Sequence, residues 1–342
     1  MEKKHNRKFD IIIPVGPNDV NFAHRVVDYV WRCLLEAEHI YIITNINSFN
    51  KIKKEIPKEI PVTFLDENNL LEGLSFKRIK ELLTKYASPN SEISVGWYLQ
   101  QFLKYAFARS KYAKSYYLSW DADTLPLAPI KYFDGDNILF NPKHEYNINY
   151  FNTIEKILGY GRLVDYSFIS ENMLFSVEYV ESMLQEIERR STGSLDWIEF
   201  IISSCNFQSP LPAFSEFETY GNYCVLNYPG IYQKRHLNTF REAGYIAGRY
   251  ISESKLKEMS FDLDTASFEM RHKPAYPYII YQYVDKTKIT LRKLTQMTIN
   301  DLRKKIHNKL YGNRKSNNKE MEGIIYRLPN ENTRFHASRS DN

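Results

Sequence analysis

The stretch Tyr116–Leu127 reads YYLSWDADTLPL and sets two carboxylates, Asp121 and Asp123, on either side of one alanine, at the end of an apolar, aromatic run. Like charges that close repel, so the pair needs something to neutralise it. A solvated turn would do this with water. A divalent cation would do it more strongly, because Mg2+ and Mn2+ take one or two carboxylates and complete their shell with substrate phosphates. The run before the pair reads as a strand. In open α/β sheets ligands bind beyond the carboxyl ends of strands, which favours metal–phosphate binding over a bare turn.

The elements that must position the pair are legible from pattern. FDIIIPV (Phe9–Val15) is a short β-branched run closed by Pro14 and Gly16, as a buried strand would be. Helical spacing follows over Ala23–Ala37, and His39–Asn45 and Pro61–Glu67 read as further strands. A helix is predicted over Gly96–Ser110 and a fourth strand over Lys114–Trp120, ending at the aspartates. Asn137–Pro142 and Phe168–Ser176 read as strands, and Val177–Arg190 and Leu195–Cys205 as helices. Strands alternating with helices predict an α/β fold with a parallel sheet. Its ligand-facing strand ends would be Val15, Gly16, Pro17, Asn18 and Asp19, then Thr44 and Asn45, then Asp66 and Glu67.

Composition sets the frame. The 342 residues are 43% hydrophobic, enough for one large α/β domain with an appendage. Most of the 26 Tyr and 20 Phe are expected to fill the core, although tyrosine also suits sugar-contacting clefts. Three scattered cysteines, Cys33, Cys205 and Cys224, show no metal-ligand spacing and suit a reducing compartment. The N-terminus has no signal-peptide pattern and no run is apolar enough to span a bilayer, so a cytoplasmic protein is expected. Lys286–Lys319 holds eleven Lys/Arg against one acid, Asp301. That segment carries +10 and the rest −5 of the overall +5. The predicted organisation is therefore a domain over 1–285 and a basic, partly helical extension over 286–342.

The chain resembles the GT-A glycosyltransferases, nucleotide-sugar-dependent enzymes with a Rossmann-like domain and an Asp-x-Asp motif. It is similar in particular to a bacterial branch of transferases found with capsule and O-antigen synthesis. The resemblance rests on FDIIIPVGPND, GWYLQQFLKYAFA, YYLSWDADTLPL, FISENMLFS and FSEFETYGNYCVLNYP, in that order, between Phe9 and Pro229, with a looser match at MRHKPAY. It implies a mixed, mostly parallel sheet flanked by helices, with a nucleotide-binding part over about 9–125 and an acceptor part over about 126–285, a nucleotide-sugar donor, UDP-linked as the commonest case, and bound Mn2+ or Mg2+. The acceptor would be a saccharide or lipid-linked saccharide.

The resemblance also implies roles. Asp123 would bind the metal directly, and Asp121 would reach it through water or hold the ribose. Val15, Gly16, Pro17 and Asp19 would cradle the nucleotide, with Asn45 nearby. His272 would be a candidate third metal ligand, against a bland reading as a surface histidine beside Arg271 and Lys273. Gln101 and Lys104 could reach the phosphates, although a solvated helix face is the simpler expectation. If transfer inverts configuration, a carboxylate base is needed. FSEFETYGNY offers Glu216, the favoured choice, and Glu218, with Gly221 allowing close approach of backbone to ligand. If transfer retains configuration, Glu216 would sit near the donor sugar without acting as base. Glu171 and Asn172 are weaker candidates for touching the donor sugar.

Two other classes compete. A haloacid-dehalogenase-type phosphatase uses Asp-x-Asp-x-Thr after its first strand. Here the fifth position is Leu125, and the pair lies more than a hundred residues in. A non-catalytic carbohydrate-binding protein would have no need of the intact pair. In the tail, Thr290–Leu310 has apolar residues at Leu291, Leu294, Met297, Leu302, Ile306 and Leu310. That pattern fits a basic amphipathic helix on an anionic membrane, at the inner face of the plasma membrane, as well as a helix packed on its own domain. Nucleic acid is not expected, because the tail offers little beyond Tyr311 and Tyr326 to stack bases.

Overall fold

The computed structural model describes residues 7–87, 94–191, 195–209 and 211–274, with 295–296, 298–300, 302–303 and 305–307. The chain divides into two units, Met1–Lys286 and Thr287–Asn342.

The first unit is built on β1 (Phe9–Pro14), α1 (Ala23–Cys33), β2 (Ala37–Thr44), α2 (Phe49–Lys53), β3 (Val62–Asp66), α3 (Phe76–Tyr86), α4 (Val95–Ala106) and β4 (Tyr116–Trp120). It continues with β5 (Thr124–Pro126), β6 (Phe133–Asp134), β7 (Asn137–Phe140), α5 (Ile148–Leu158), β8 (Asn172–Ser176), α6 (Val177–Arg190) and α7 (Trp197–Ser204). The last elements are α8 (Glu216–Asn227), β9 (Tyr232–Lys234), β10 (Thr239–Phe240), α9 (Ala243–Ala247), α10 (Glu253–Met259) and β11 (Thr265–Ser267).

The central sheet runs β3-β2-β1-β4-β8. Its first four strands are parallel and β8 is antiparallel to β4. The mixed, mostly parallel sheet flanked by helices is thus the observed architecture. Every residue of β1 is buried because helices cover both faces. Alternation divides the sheet between two cores. Ile12, Tyr41, Ile43, Tyr117 and Phe175 pack toward α3–α8. Ile11, Ile13, Ile40, Ile42, Leu118 and Trp120 pack toward α1.

Some boundaries differ from the sequence pattern. The first helix stops at Cys33, and Ala37 already pairs with Phe9 in the sheet. Only Asn172–Ser176 of the predicted Phe168–Ser176 strand is in the ladder. Phe168 instead packs against α8, where a Cβ on Gly221 would lie 2.2 Å from its ring. Gly221 therefore admits a phenylalanine ring rather than a ligand. FSEFETYGNY itself is mostly helix, started by Ser215, whose hydroxyl accepts from the Glu218 N–H. Of the predicted helix over Thr290–Leu310, the described residues between 295 and 307 are all helical, and the remainder lies outside the described residues.

Candidate functional site

Strand order fixes where a site can form. From β1 the chain crosses to β2 on one side, while β4 lies on the other side of β1. The carboxyl ends of β1 and β4 thus flank the switch point of the sheet, where a crevice opens in such folds. After β1 comes the loop Val15–Asp19, and after β4 comes Asp121–Asp123.

The aspartate turn is held by its backbone. The Asp121 N–H donates to Glu171 O, and the Phe268 N–H to Asp123 O. The Trp120 indole N–H donates to Thr124 O at 2.8 Å, closing the turn from within. Thr124 then starts β5, which pairs with β11, and its hydroxyl meets that of Ser267. The Thr124-Leu125 ending is therefore a fully buried strand start.

The two carboxylates have different surroundings. Asp121 is 2.9 Å from Lys104 Nζ. Lys104 is also 2.6 Å from Glu216 and lies over the Phe217 ring at 4.3 Å. Lys104 is 4% exposed and Glu216 2%, so this is an interior triad. Burial works against the Lys104 charge, but Asp121 and Glu216 outweigh it and hold the ammonium well above its ordinary range. Burial pushes Glu216 up, and Lys104 pulls it back. With its carboxamide nitrogen turned toward Glu216, Gln101 donates to the same carboxylate.

Asp123 is half-buried and has the Thr124 hydroxyl 3.3 Å from Oδ1. Its pKa is pushed up to about 7, first by burial and then by the neighbouring charges of Asp121 and Asp19. Arg249 opposes this and Glu269 adds to it. Arg249 is itself committed: it pairs with Asp19 at 2.5 Å and donates to Asn18 O and Phe268 O. Glu269 pairs with Arg271.

Beside the pair sits a second charged group. Glu171 is buried, 3.2 Å from Arg241 Nε and 3.6 Å from Lys143 Nζ. Arg241 also pairs with Glu145. Burial lowers Arg241, but Glu145, Glu171, Glu269 and Asp121 together raise it, so its cation feels the charge of Asp121. Asn172 opens β8, opposite Trp120, and accepts from the Tyr132 hydroxyl.

The other predicted residues are distributed as follows. Val15 is buried, its N–H donates to Ile43 O and its carbonyl accepts from Thr44, so it has no free backbone donor to offer. Pro17 and Asn18 are exposed, and a Cβ on Gly16 would come within 3.2 Å of Gln100 Nε2. Asn45 reaches Glu67 and caps the turn after β2. Gln101 and Lys104 are buried rather than solvated, because α4 runs between the sheet and α8 and has no wet face there. Their polar groups face Glu216 and Asp121, which corrects the expectation that they reach out to phosphates. His272 is also buried, not a surface histidine. It stacks on Tyr245 and lies 4.0 Å from Glu269. Burial first, and Arg271 after it, lower its pKa against the pull of Glu269. Glu218 points away from the pair, toward Ser167, Phe168 N and Asn222.

Among the described residues, no group of three or more His, Cys, Asp or Glu encloses a metal on its own. The donor set does fit a cation that brings phosphate and water ligands: among the described residues no side-chain cation pairs with half-buried Asp123, and Asp121 stands two residues away. Sequence reasoning missed Arg249, Arg241, Lys143 and Glu269. Each comes from a distant loop, Arg249 lying 230 positions from its partner Asp19, and no local pattern marks them.

Residues 34–251, well over half the chain, match the sequence profile of a family of unknown function, DUF6492. The chain belongs to this family. No curated protein matches it. Among solved structures, it is similar to galactosyltransferase LgtC in complex with donor and acceptor sugar analogues, at 11% identity over 83% of this chain and 98% of that one, TM-score 0.42. It is similar to mouse xyloside xylosyltransferase 1, apo form, at 14% identity over 78% of this chain and 99% of that one, TM-score 0.42. The bifunctional glycosyltransferase WbbM matches at 9% identity over 80% of this chain and 47% of that one, TM-score 0.39. Likeness this distant carries no argument about activity.

Proposed function

We propose that this protein is a metal-dependent GT-A glycosyltransferase that moves a sugar from a nucleoside-diphosphate donor, UDP-linked as first choice, to a saccharide or lipid-linked saccharide, in bacterial surface polysaccharide synthesis. One observation carries the reading. Asp123, Asp121, Asp19 and Glu269 share one electrostatic field at the switch point of the sheet; Lys104 pairs with Asp121, Arg249 with Asp19 and Arg271 with Glu269, and among the described residues no cation pairs with Asp123. Such a site favours an external cation with bound phosphates.

Asp123 and Asp121 would hold Mn2+ or Mg2+, which when bound would neutralise charge growing on the departing diphosphate. The chain supplies the rest. The loop Gly16–Asp19 borders the crevice, its exposed Pro17 and Asn18 offering a face to the nucleotide. Arg249 fixes that loop through Asp19 and Asn18. Arg241, half exposed and within the field of Asp121, would stabilise the leaving phosphate. Glu216 is not carried forward as the acceptor base, since its carboxylate is buried against Lys104.

The test is a thermal-shift screen of nucleoside diphosphates and nucleotide sugars with Mn2+, followed by turnover of any donor that binds. Stabilisation follows affinity directly. A nucleotide–Mn2+ pair should raise the melting temperature of the wild type and not of Asp123→Ala. Equal shifts in both proteins, or none in either, would defeat the reading.

For the second unit, the reading adds an anionic membrane surface. Ile299, Leu302 and Ile306 are exposed at 41%, 53% and 52%, at helical spacing, beside exposed Arg303 and Lys305. An apolar stripe among basic residues suits anionic lipid. Among the described residues no helix is long and apolar enough to cross a membrane. Flotation with anionic vesicles should retain the wild type and release Leu302→Asp. Equal flotation of both would remove this part.

A further inference from the structure

Lys104 and Glu216 form a buried ion pair whose one opening toward the crevice is Asp121. Its geometry explains what an interior lysine does beside a proposed cation site. The ammonium's contacts are Asp121 at 2.9 Å, Glu216 at 2.6 Å and the Phe217 ring at 4.3 Å, and Lys104 is 4% exposed. It therefore cannot swing out to a phosphate without leaving Glu216 charged in the interior. Glu216 has no path to an acceptor hydroxyl, because Gln101 and Lys104 cover its carboxylate. Its backbone is pinned as well: the Tyr105 hydroxyl donates to Glu216 O at 2.6 Å. The Tyr117 hydroxyl, from β4, donates to Lys104 O at 2.7 Å. The pair is thus locked to the same strand that ends at Asp121, whose side chain is 36% exposed.

We propose that Lys104 and Glu216 are positioning residues that set how much negative charge Asp121 presents to a bound divalent cation, and that neither takes part in proton transfer. The inference rests on the metal-dependent reading above. Electrostatics gives it opposite signs for two variants. Glu216→Gln removes the distal negative charge and leaves the lysine's cation to neutralise Asp121 more fully. Cation binding should weaken, by about fivefold for a unit charge removed at this range in a partly screened site. The double variant Lys104→Met/Glu216→Gln removes the pair together. The positive member lies nearer Asp121, so its loss dominates and cation binding should tighten, by a similar factor. That double variant also avoids a buried unpaired charge and replaces the ion pair by groups of like size, a change often tolerated by folds.

The measurement is Mn2+ affinity by titration calorimetry, with and without UDP, on wild type and both variants, alongside their melting temperatures. Weaker binding in Glu216→Gln and tighter binding in the double variant support the inference. Shifts of the same sign, or no shift, in folded variants overturn it and leave the metal-dependent reading standing. A wild type that binds no Mn2+ under either condition overturns both. Turnover adds a separate check: an acceptor base replaced by Gln should lose about a hundredfold or more in kcat at unchanged Mn2+ affinity, and that outcome would also overturn the inference.

Discussion

Two acids sit at opposite ends of the parallel strands of one sheet. Asp10, near the start of β1, is 1% exposed, and half-buried Asp123 follows the carboxyl end of the neighbouring β4. Asp10 has a cation of its own: Lys114 Nζ lies 3.1 Å away and also reaches Glu38. Burial raises its pKa, but Lys114 and His39 pull it down. Asp123 has three other acids in its field and one opposing arginine, and it is pushed up to about 7. One end balances its charge internally and, among the described residues, the other does not. The difference marks the β1–β4 end as the place where a cation from solution would belong, and it argues that burial of an acid alone marks nothing.

The largest effect that could break this comparison comes from neutralising each acid in turn. Asp123→Asn should abolish Mn2+-dependent stabilisation by nucleotides and cut donor turnover by about a hundredfold or more. Its metal-free melting temperature should equal or exceed that of the wild type, because a like-charge contact is relieved. Asp10→Asn should keep the full Mn2+ response. A Mn2+ response lost in both variants, or in neither, would mean the two ends of the strands do not differ in the way proposed.

How much of this was legible in the sequence depends on distance along the chain. β1, β2, β3 and β4 were readable because each is a short β-branched or aromatic run closed by turn residues, and the Asp pair follows directly from the end of β4. The burial of Lys104 was not readable. α4 has polar residues where a wet face would be, and only the arrival of α8 from more than a hundred positions later turns that face inward. Glu216 and Glu218 looked equivalent in FSEFETYGNY, yet in a helix they point to different partners. Arg249 and Arg241 come from loops without periodicity, so nothing local tied them to Asp19 or Glu171.

A smaller effect tests the balanced end of the strands. Lys114→Met leaves the Asp10 carboxylate buried, with one oxygen already lacking a hydrogen bond. The cost should be about 1–3 kcal/mol at neutral pH, read by chemical denaturation. A carboxyl whose folded pKa lies above its unfolded one loses stability as pH rises through that folded value. Removing Lys114 pushes Asp10 further up, so the deficit against the wild type should be larger at pH 8 than at pH 5. A deficit independent of pH would point to lost packing of the lysine stem.

Glu218 gives the smallest and sharpest test, because it is a buried acid of a third kind. It is 1% exposed and has no lysine or arginine bonded to it among the described residues, yet it belongs to no acid cluster. Its carboxylate accepts from the Ser167 hydroxyl, the Phe168 N–H and Asn222 Nδ2. Burial pushes its pKa up to about 7, while Ser167, Phe168 N and Arg162 restrain it and Glu145 adds to it. The folded protein then holds a proton here that the unfolded chain has released above its ordinary value of 4.5. Stability should fall between pH 5 and 7 at a rate approaching about 1 kcal/mol per pH unit from this group alone. Glu218→Gln keeps an acceptor for Ser167 and Phe168 N and has no proton to lose. It should match the wild type near pH 5, exceed it at pH 8, and respond to Mn2+ and nucleotide as the wild type does. An unchanged pH slope would mean that Ser167 and the Phe168 N–H keep Glu218 ionised. A lost Mn2+ response would mean that a raised carboxyl away from the switch point also serves the site, and the contrast between the two ends of the strands would no longer be enough to locate it.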